Sequence, residues 1–111
     1  MPTPAPVPSD RMQKLQAMLQ RAPDDTFLLY ALAMEHKKTD DFPNALHYFG
    51  EVIQRDPLYC VAYHQAALTH EAAGDLPAAR KMFHDGIAAA DRKGDVHARE
   101  EMEAALAMID A

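Results

Sequence analysis

The sequence is poor in the residues on which most enzymes are built. Of its 111 residues one is cysteine (Cys60), one is serine (Ser9), four are glycine and none is tryptophan. A single cysteine permits no internal disulfide and no cysteine-based zinc site within one chain, which suits a reducing compartment. A serine near the amino terminus has no strand-to-helix elbow to hold it as a nucleophile, and no glycine-rich loop is present to cradle a phosphate. Basic runs are also missing. The basic residues never gather into a run longer than Lys37-Lys38 or Arg92-Lys93, and seventeen acids against eleven bases leave a formal charge of −6, so nucleic acid is not expected as a partner. The longest apolar run, FLLYALAM from Phe27 to Met34, is far short of the ~20 residues of a membrane span. The opening MPTPAPVPSD has neither the basic start nor the apolar stretch of a secretory signal. These absences predict a cytoplasmic protein, not an enzyme, with no cofactor and no membrane partner.

What the chain does have is apolar residues in helical register. Proline at positions 2, 4, 6 and 8 favours extended conformations, so residues 1–8 are expected to form a disordered Pro-rich tail ahead of a single helical domain at 9–111. Beyond it, apolar residues recur at three- and four-residue spacing, as in Phe27, Tyr30 and Met34, then Ala45, Phe49, Val52 and Ile53, then Tyr63, Ala67 and Leu68. The breaks between these stretches carry helix-start chemistry. Asp24 or Asp25, Asp41, Asp75 and Asp95 can each accept the free amides of a first turn, and Pro43 and Pro77 lie just inside one.

These signals also repeat. DDFPNALHYF at 40–49 and GDLPAARKMF at 74–83 align with an offset of 34 residues, and the same offset relates Pro23 to Pro57 and His36 to His70. Asp91 stands where a third proline would fall. The unit is a helical hairpin, and the predicted helices run over 10–21, 25–38, 42–55, 59–73, 76–91 and 95–110, with connections short enough to make neighbours antiparallel.

A 34-residue helix-turn-helix unit with this pattern resembles the tetratricopeptide repeat family, over residues 23–91. The resemblance implies an all-α, right-handed superhelix of antiparallel helical hairpins. Two full units, about 26–59 and 60–93, would be flanked by an N-terminal half-repeat helix and a C-terminal capping helix at 95–110. It implies close helix contacts at the small residues Ala33, Ala45 and Val52 in one unit and Ala67, Ala79 and Gly86 in the next. Leu29, Leu32, Phe42 and Phe49, then Tyr63, Leu76 and Phe83, would fill the space between. His36 and His70 depart from the family's usual tyrosine, Asp40 from its turn glycine and Ala66 from its usual large residue. The final segment does not keep the 34-residue spacing. Val96, Met102, Ala105, Leu106 and Ile109 fall on one side of it and Arg99, Glu100 and Glu103 on the other, as a helix that ends a stack requires. The whole is similar to the small stand-alone repeat proteins of bacteria.

Six histidines raise a metal reading. Equivalent positions on successive repeats are separated by on the order of 10 Å per helix, too far for His36 and His70 to share a metal ion at ~2.0 to 2.1 Å, so no metal site is expected. His47 and His84 are expected on outward faces. A metal- or thiol-dependent activity centred on the histidines and Cys60, which has His64 one turn further on, is the alternative from a different class. The main expectation is non-catalytic protein binding or scaffolding. In the resembled family the first helices of successive hairpins line a concave groove that holds a peptide or helix of a partner protein. Carried over, that face is Phe27, Tyr30, Ala31, Met34, Lys37 and Lys38, then Val61, His64, Gln65, Leu68 and Glu71. Tyr30 and His64, with Met34 and Leu68, would make one inward patch with the two lysines at its rim. A homodimer formed through the groove is a further possibility.

Overall fold

The computed structural model describes residues 9–111, so the expectation of a disordered tail at 1–8 lies outside the described residues. Among these the chain is helical throughout, with α1 at Asp10–Arg21, α2 at Thr26–Lys38, α3 at Phe42–Arg55, α4 at Cys60–Ala72, α5 at Leu76–Lys93 and α6 at Val96–Asp110. Each helix packs against the next one in the chain, and α6 also touches α4. The helices start where an oxygen can accept first-turn amides. Asp25 accepts from the Leu28 amide at 3.2 Å, Asp75 from Ala78 at 3.1 Å and Asp95 from Ala98 at 3.0 Å, and Ser9 does the same for α1 through Met12 at 3.1 Å. Asp41 accepts from the side-chain amide of Asn44 at 2.8 Å as well as capping α3. Such caps stabilise a helix by about 1 kcal/mol each. Asp24 is not a cap; it pairs with Arg55 at 3.0 Å. The α4 start has no side-chain cap, and Asp56 instead holds the preceding turn by accepting from the Leu58 amide at 3.1 Å.

Within each full unit the two helices join through the same turn. The carbonyl of His36 accepts from the Asp41 amide and that of His70 from the Asp75 amide, both at 2.9 Å. The turn needs a left-handed residue next to its end, which Gly74 supplies at φ +84° and Asp40 at φ +60°. A third copy links α5 to α6, where Ala90 accepts from Asp95 at 2.9 Å and Gly94 sits at φ +77°. This corrects the expected end of α5 at residue 91. With no proline at Asp91 the helix runs on to Lys93 and stops at Gly94. As a result α6 begins 36 residues after α4.

The interior is a chain of cores shared by neighbouring helices. Met12 and Leu15 of α1 pack with Leu28, Ala31 and Leu32 of α2. Leu29 and Ala33 pack with Ala45, Phe49 and Val52 of α3 and with Ala62 and Ala66 of α4. Cys60, Tyr63 and Ala67 pack with Phe83, Ala89 and Ala90 of α5 and with Met102 of α6. Ala33, Ala45, Val52, Ala67, Ala79 and Gly86, the expected close contacts, are all buried. Leu76 and Val96 are not; each sits in a helix's first turn with its side chain exposed.

Candidate functional site

The first helices α2, α4 and α6 share one side of the array, and several observations place their side chains together there. The Lys37 ammonium donates to Gln65 Oε1 at 2.6 Å, joining the end of α2 to the middle of α4. Burial lowers the pKa of Lys37. His64 feels both Lys37 on one side and Glu101 of α6 on the other. Its pKa is lowered, first by burial, with Lys37 adding to the effect and Glu101 opposing it. Between α4 and α6 a cleft of about 300 Å³ has Val61, His64, Ala98 and Glu101 among its walls and the buried Cys60 and Met102 at its base.

The carried-over residues are not equally available on this side. Phe27 and Val61, at equivalent places in the first turns of α2 and α4, are the two large apolar side chains of the carried-over set that stand exposed, at 65% and 42%. Lys38 and Glu71 are exposed, whereas Tyr30, Met34, Lys37, His64, Gln65 and Leu68 are half-buried. Tyr30 leans into its own unit, its ring centroid 5.9 Å from that of Phe49 and 5.6 Å from that of Tyr59. His64 meets the Phe83 ring edge-on at 5.7 Å. Met34 packs against the core that holds Leu29 and Phe49, and Leu68 against the one that holds Tyr63 and Phe83. Ala31 is not an inner-face residue at all, because α1 covers it. Sequence reasoning missed the contribution of α6, namely Ala98 and Glu101 beside α4. The signal was present, since the RKGDV of 92–96 repeats the turn chemistry of the AAGDL at 72–76 and so marks another hairpin-like step.

The groups considered for chemistry are held in structural roles. The Cys60 thiol is buried, donates to the Leu58 carbonyl at 3.5 Å rather than to His64, and has its pKa raised by desolvation, opposite to what a reactive thiolate requires. His36 Nδ1 lies 3.2 Å from Asp41 Oδ2 and its ring stacks on Tyr48 at 5.5 Å. Among the described residues no three His, Cys, Asp or Glu side chains are grouped to hold a metal ion, and no helix is long and apolar enough to cross a membrane. His47 and His84 are exposed.

No family model matches the chain. It is 28% identical over 99 residues to a TPR repeat-containing protein of Pseudomonas aeruginosa, a match covering 89% of this chain and 94% of that one. The crystal structure of a tetratricopeptide repeat domain protein from Salinibacter ruber is 30% identical, with a TM-score of 0.70, covering 78% of this chain and 96% of that one. The TPR2B domain of yeast Sti1, solved as a complex with pHsp70, shares the fold alone: it is 19% identical with a TM-score of 0.82 over 89% of this chain and 75% of that one.

Proposed function

The chain belongs to the tetratricopeptide repeat family, and on that premise we propose that it is a non-catalytic, cytoplasmic protein-binding module whose inner face holds a peptide or helix of a partner protein. In this reading residues 9–111 form one domain with units at about 26–59 and 60–93, and the helix over 95–110 caps the stack. Phe27, Tyr30, Met34, Lys37 and Lys38 of α2, with Val61, His64, Gln65, Leu68 and Glu71 of α4, make up the binding face, and α6 adds Glu101 and the cleft beneath it. The observation that carries the reading is the exposure of Phe27 and Val61 at equivalent places on neighbouring helices. Large apolar side chains left in water at repeated positions, beside an open cleft, are anchors waiting for a partner surface. The half-buried Tyr30, Met34, His64 and Leu68 form the floor on which such a segment rests. Lys38 at one edge and Glu71 and Glu101 at the other set its orientation through charge. The complex of the Sti1 domain with pHsp70 supports the reading, since the same architecture engages a protein there.

The test begins with immobilised chain, native cell extract and mass spectrometry to identify a bound protein, followed by measurement of its affinity for purified chain. Phe27→Ala combined with Val61→Ala removes the two exposed anchors without touching a core, so circular dichroism should be unchanged. The affinity should fall by about tenfold or more, roughly 1.4 kcal/mol. A folded double variant that binds as tightly as the parent excludes the inner face. Tyr30→Ala is a poorer probe, because that ring also braces Phe49 and Tyr59.

A further inference from the structure

On the premise that the inner face holds a partner segment, we infer that the cleft between α4 and α6 is a pocket for one lysine side chain of that segment. The apolar stem would lie on Val61, Ala98 and Met102, and the ammonium would donate to the Glu101 carboxylate. The template for such a contact lies one step earlier in the array. Counted from the helix starts at Thr26, Cys60 and Val96, Gln65 and Glu101 hold the same place in α4 and α6, and Lys37 and Glu71 the same place in α2 and α4. At the step from α2 to α4 the acceptor is occupied from within, since the Lys37 ammonium donates to Gln65 Oε1 at 2.6 Å. At the step from α4 to α6 the acceptor is a carboxylate instead of an amide, and so the stronger partner for an ammonium. The residue in the place of Lys37 is there an acid. As a carboxylate, Glu71 has no proton to donate to Glu101, and the contact that Lys37 makes in the first step is left to a cation from outside.

The cleft has the size for that side chain. Its volume of about 300 Å³ stands at the small end of ligand pockets, roughly 300 to 1,000 Å³, which suits one long side chain and not a folded segment. Lysine buries its stem along apolar surface and keeps its head in water, and the cleft offers both surroundings. Val61 and Ala98 are among its walls, Met102 is fully buried at its base, and the Glu101 side chain is half exposed.

The charges of the cleft select a cation. Lys93 and Asp95 both line it and act on the Cys60 thiol with opposite sign, so that they offset one another there. His64 and Glu101 lie further along their helices, where burial favours the neutral imidazole, and Lys37, which His64 also feels, is engaged by Gln65. Glu101 is left with the uncompensated charge. Among the described residues its one ion-pair partner is the exposed His97 of its own helix, at 2.7 Å, whereas Glu35, Glu51 and Glu103 each face an arginine. An exposed pair of that kind contributes little stability and yields readily to a better partner.

Methyl NMR tests this without an identified partner. The protein is titrated with Nα-acetyl-lysine methylamide and, separately, with Nα-acetyl-norleucine methylamide, which carries the same stem without the charge. The lysine amide should shift the methyl signals of Val61, Ala98 and Met102 at about tenfold lower concentration than the norleucine amide, and salt should shrink that advantage. Glu101→Gln should abolish the advantage while circular dichroism stays unchanged. Glu71→Lys supplies the missing side chain from within and should block the lysine amide. Equal responses to the two amides overturn the inference, as do a lysine advantage that survives Glu101→Gln and unhindered binding to the Glu71→Lys variant. A stronger response to Nα-acetyl-glutamate methylamide would assign the cleft to an acidic residue through Lys93 and overturn it equally. Because no captured protein enters the comparison, its failure strikes the lysine pocket alone and leaves the inner-face reading to the Phe27 and Val61 variants.

Discussion

Two glycines in helix interiors should respond in opposite directions to the same added methyl group. Gly50 lies in α3 and Gly86 in α5, and in an exposed helix alanine is favoured over glycine by about 0.8 to 1 kcal/mol. A Cβ at Gly50 would meet nothing within 4 Å, so Gly50→Ala should collect nearly the whole of that gain. At Gly86 the same atom would stand 2.5 Å from Met102 Sδ and 2.7 Å from Tyr63 Cβ. The methionine tip is the flexible end of a buried side chain and can give way toward the cleft above it, so the contact with Tyr63 decides the outcome. Tyr63 Cβ moves only if the α4 backbone moves. Overpacking that a backbone must move to relieve falls in the upper part of the ~1 to 3 kcal/mol range, roughly 2 to 3 kcal/mol, which outweighs the propensity gain and leaves a net loss of about 1 to 2 kcal/mol for Gly86→Ala. Urea denaturation followed by circular dichroism would read both changes, with an unchanged slope showing that only stability moved. At roughly 4 to 8 °C per kcal/mol for a domain of this size, the variants should melt on opposite sides of the parent. A Gly86→Ala protein as stable as the parent would refute the close approach of α4, α5 and α6. So would two variants that shift in the same direction.

The left-handed turn residues and the half-buried His64 make further predictions. Asp40→Gly should stabilise the fold by about 0.5 to 1 kcal/mol in the same urea assay, because Asp40 carries a Cβ at φ +60° where Gly74 carries none; no gain would mean that the turn is not strained. His64 has a lowered pKa, so its neutral form is favoured in the folded state. As pH falls below the ordinary histidine value of about 6.5, the unfolded chain takes up a proton that the folded chain resists, and stability is lost toward the lower folded pKa. His64→Gln should therefore flatten the decline in the urea midpoint between pH 7 and 5.5 relative to the parent, and an unchanged decline would assign the acid sensitivity to other groups.

The fold was legible because its signals are local and repeated. Aspartate at the helix starts, proline inside first turns and small residues at 34-residue spacing each act within one hairpin, and the residues named as close contacts are the ones the structure buries. The misreadings come from places where the local signals change. Asp91 in place of proline allowed α5 to continue two residues past its expected end. Ala31 and Tyr30 share a helix face with Phe27 and Met34 by periodicity, yet α1 covers the first and Phe49 and Tyr59 brace the second. Helical spacing gives the direction in which a side chain leaves its helix, not the neighbour that meets it there.

The candidate face was less legible than the fold for a related reason. Burial constrains a core position to apolar residues of a narrow size range, so its identity can be read back from sequence. A groove position has no such constraint within its own chain: Phe27 and Val61 are exposed, and under the proposed function their identity answers to a surface outside the molecule. The contribution of α6 was hidden further by its charge. Glu101 lies beside the charged Arg99, Glu100 and Glu103 in the sequence, and only the packing of Ala98 and Met102 against α4 and α5 turns it toward His64 and the cleft. Exposed apolar residues at repeat-equivalent positions are thus the one part of a binding face that a sequence can mark without its partner, because nothing in the stability of the chain asks for them.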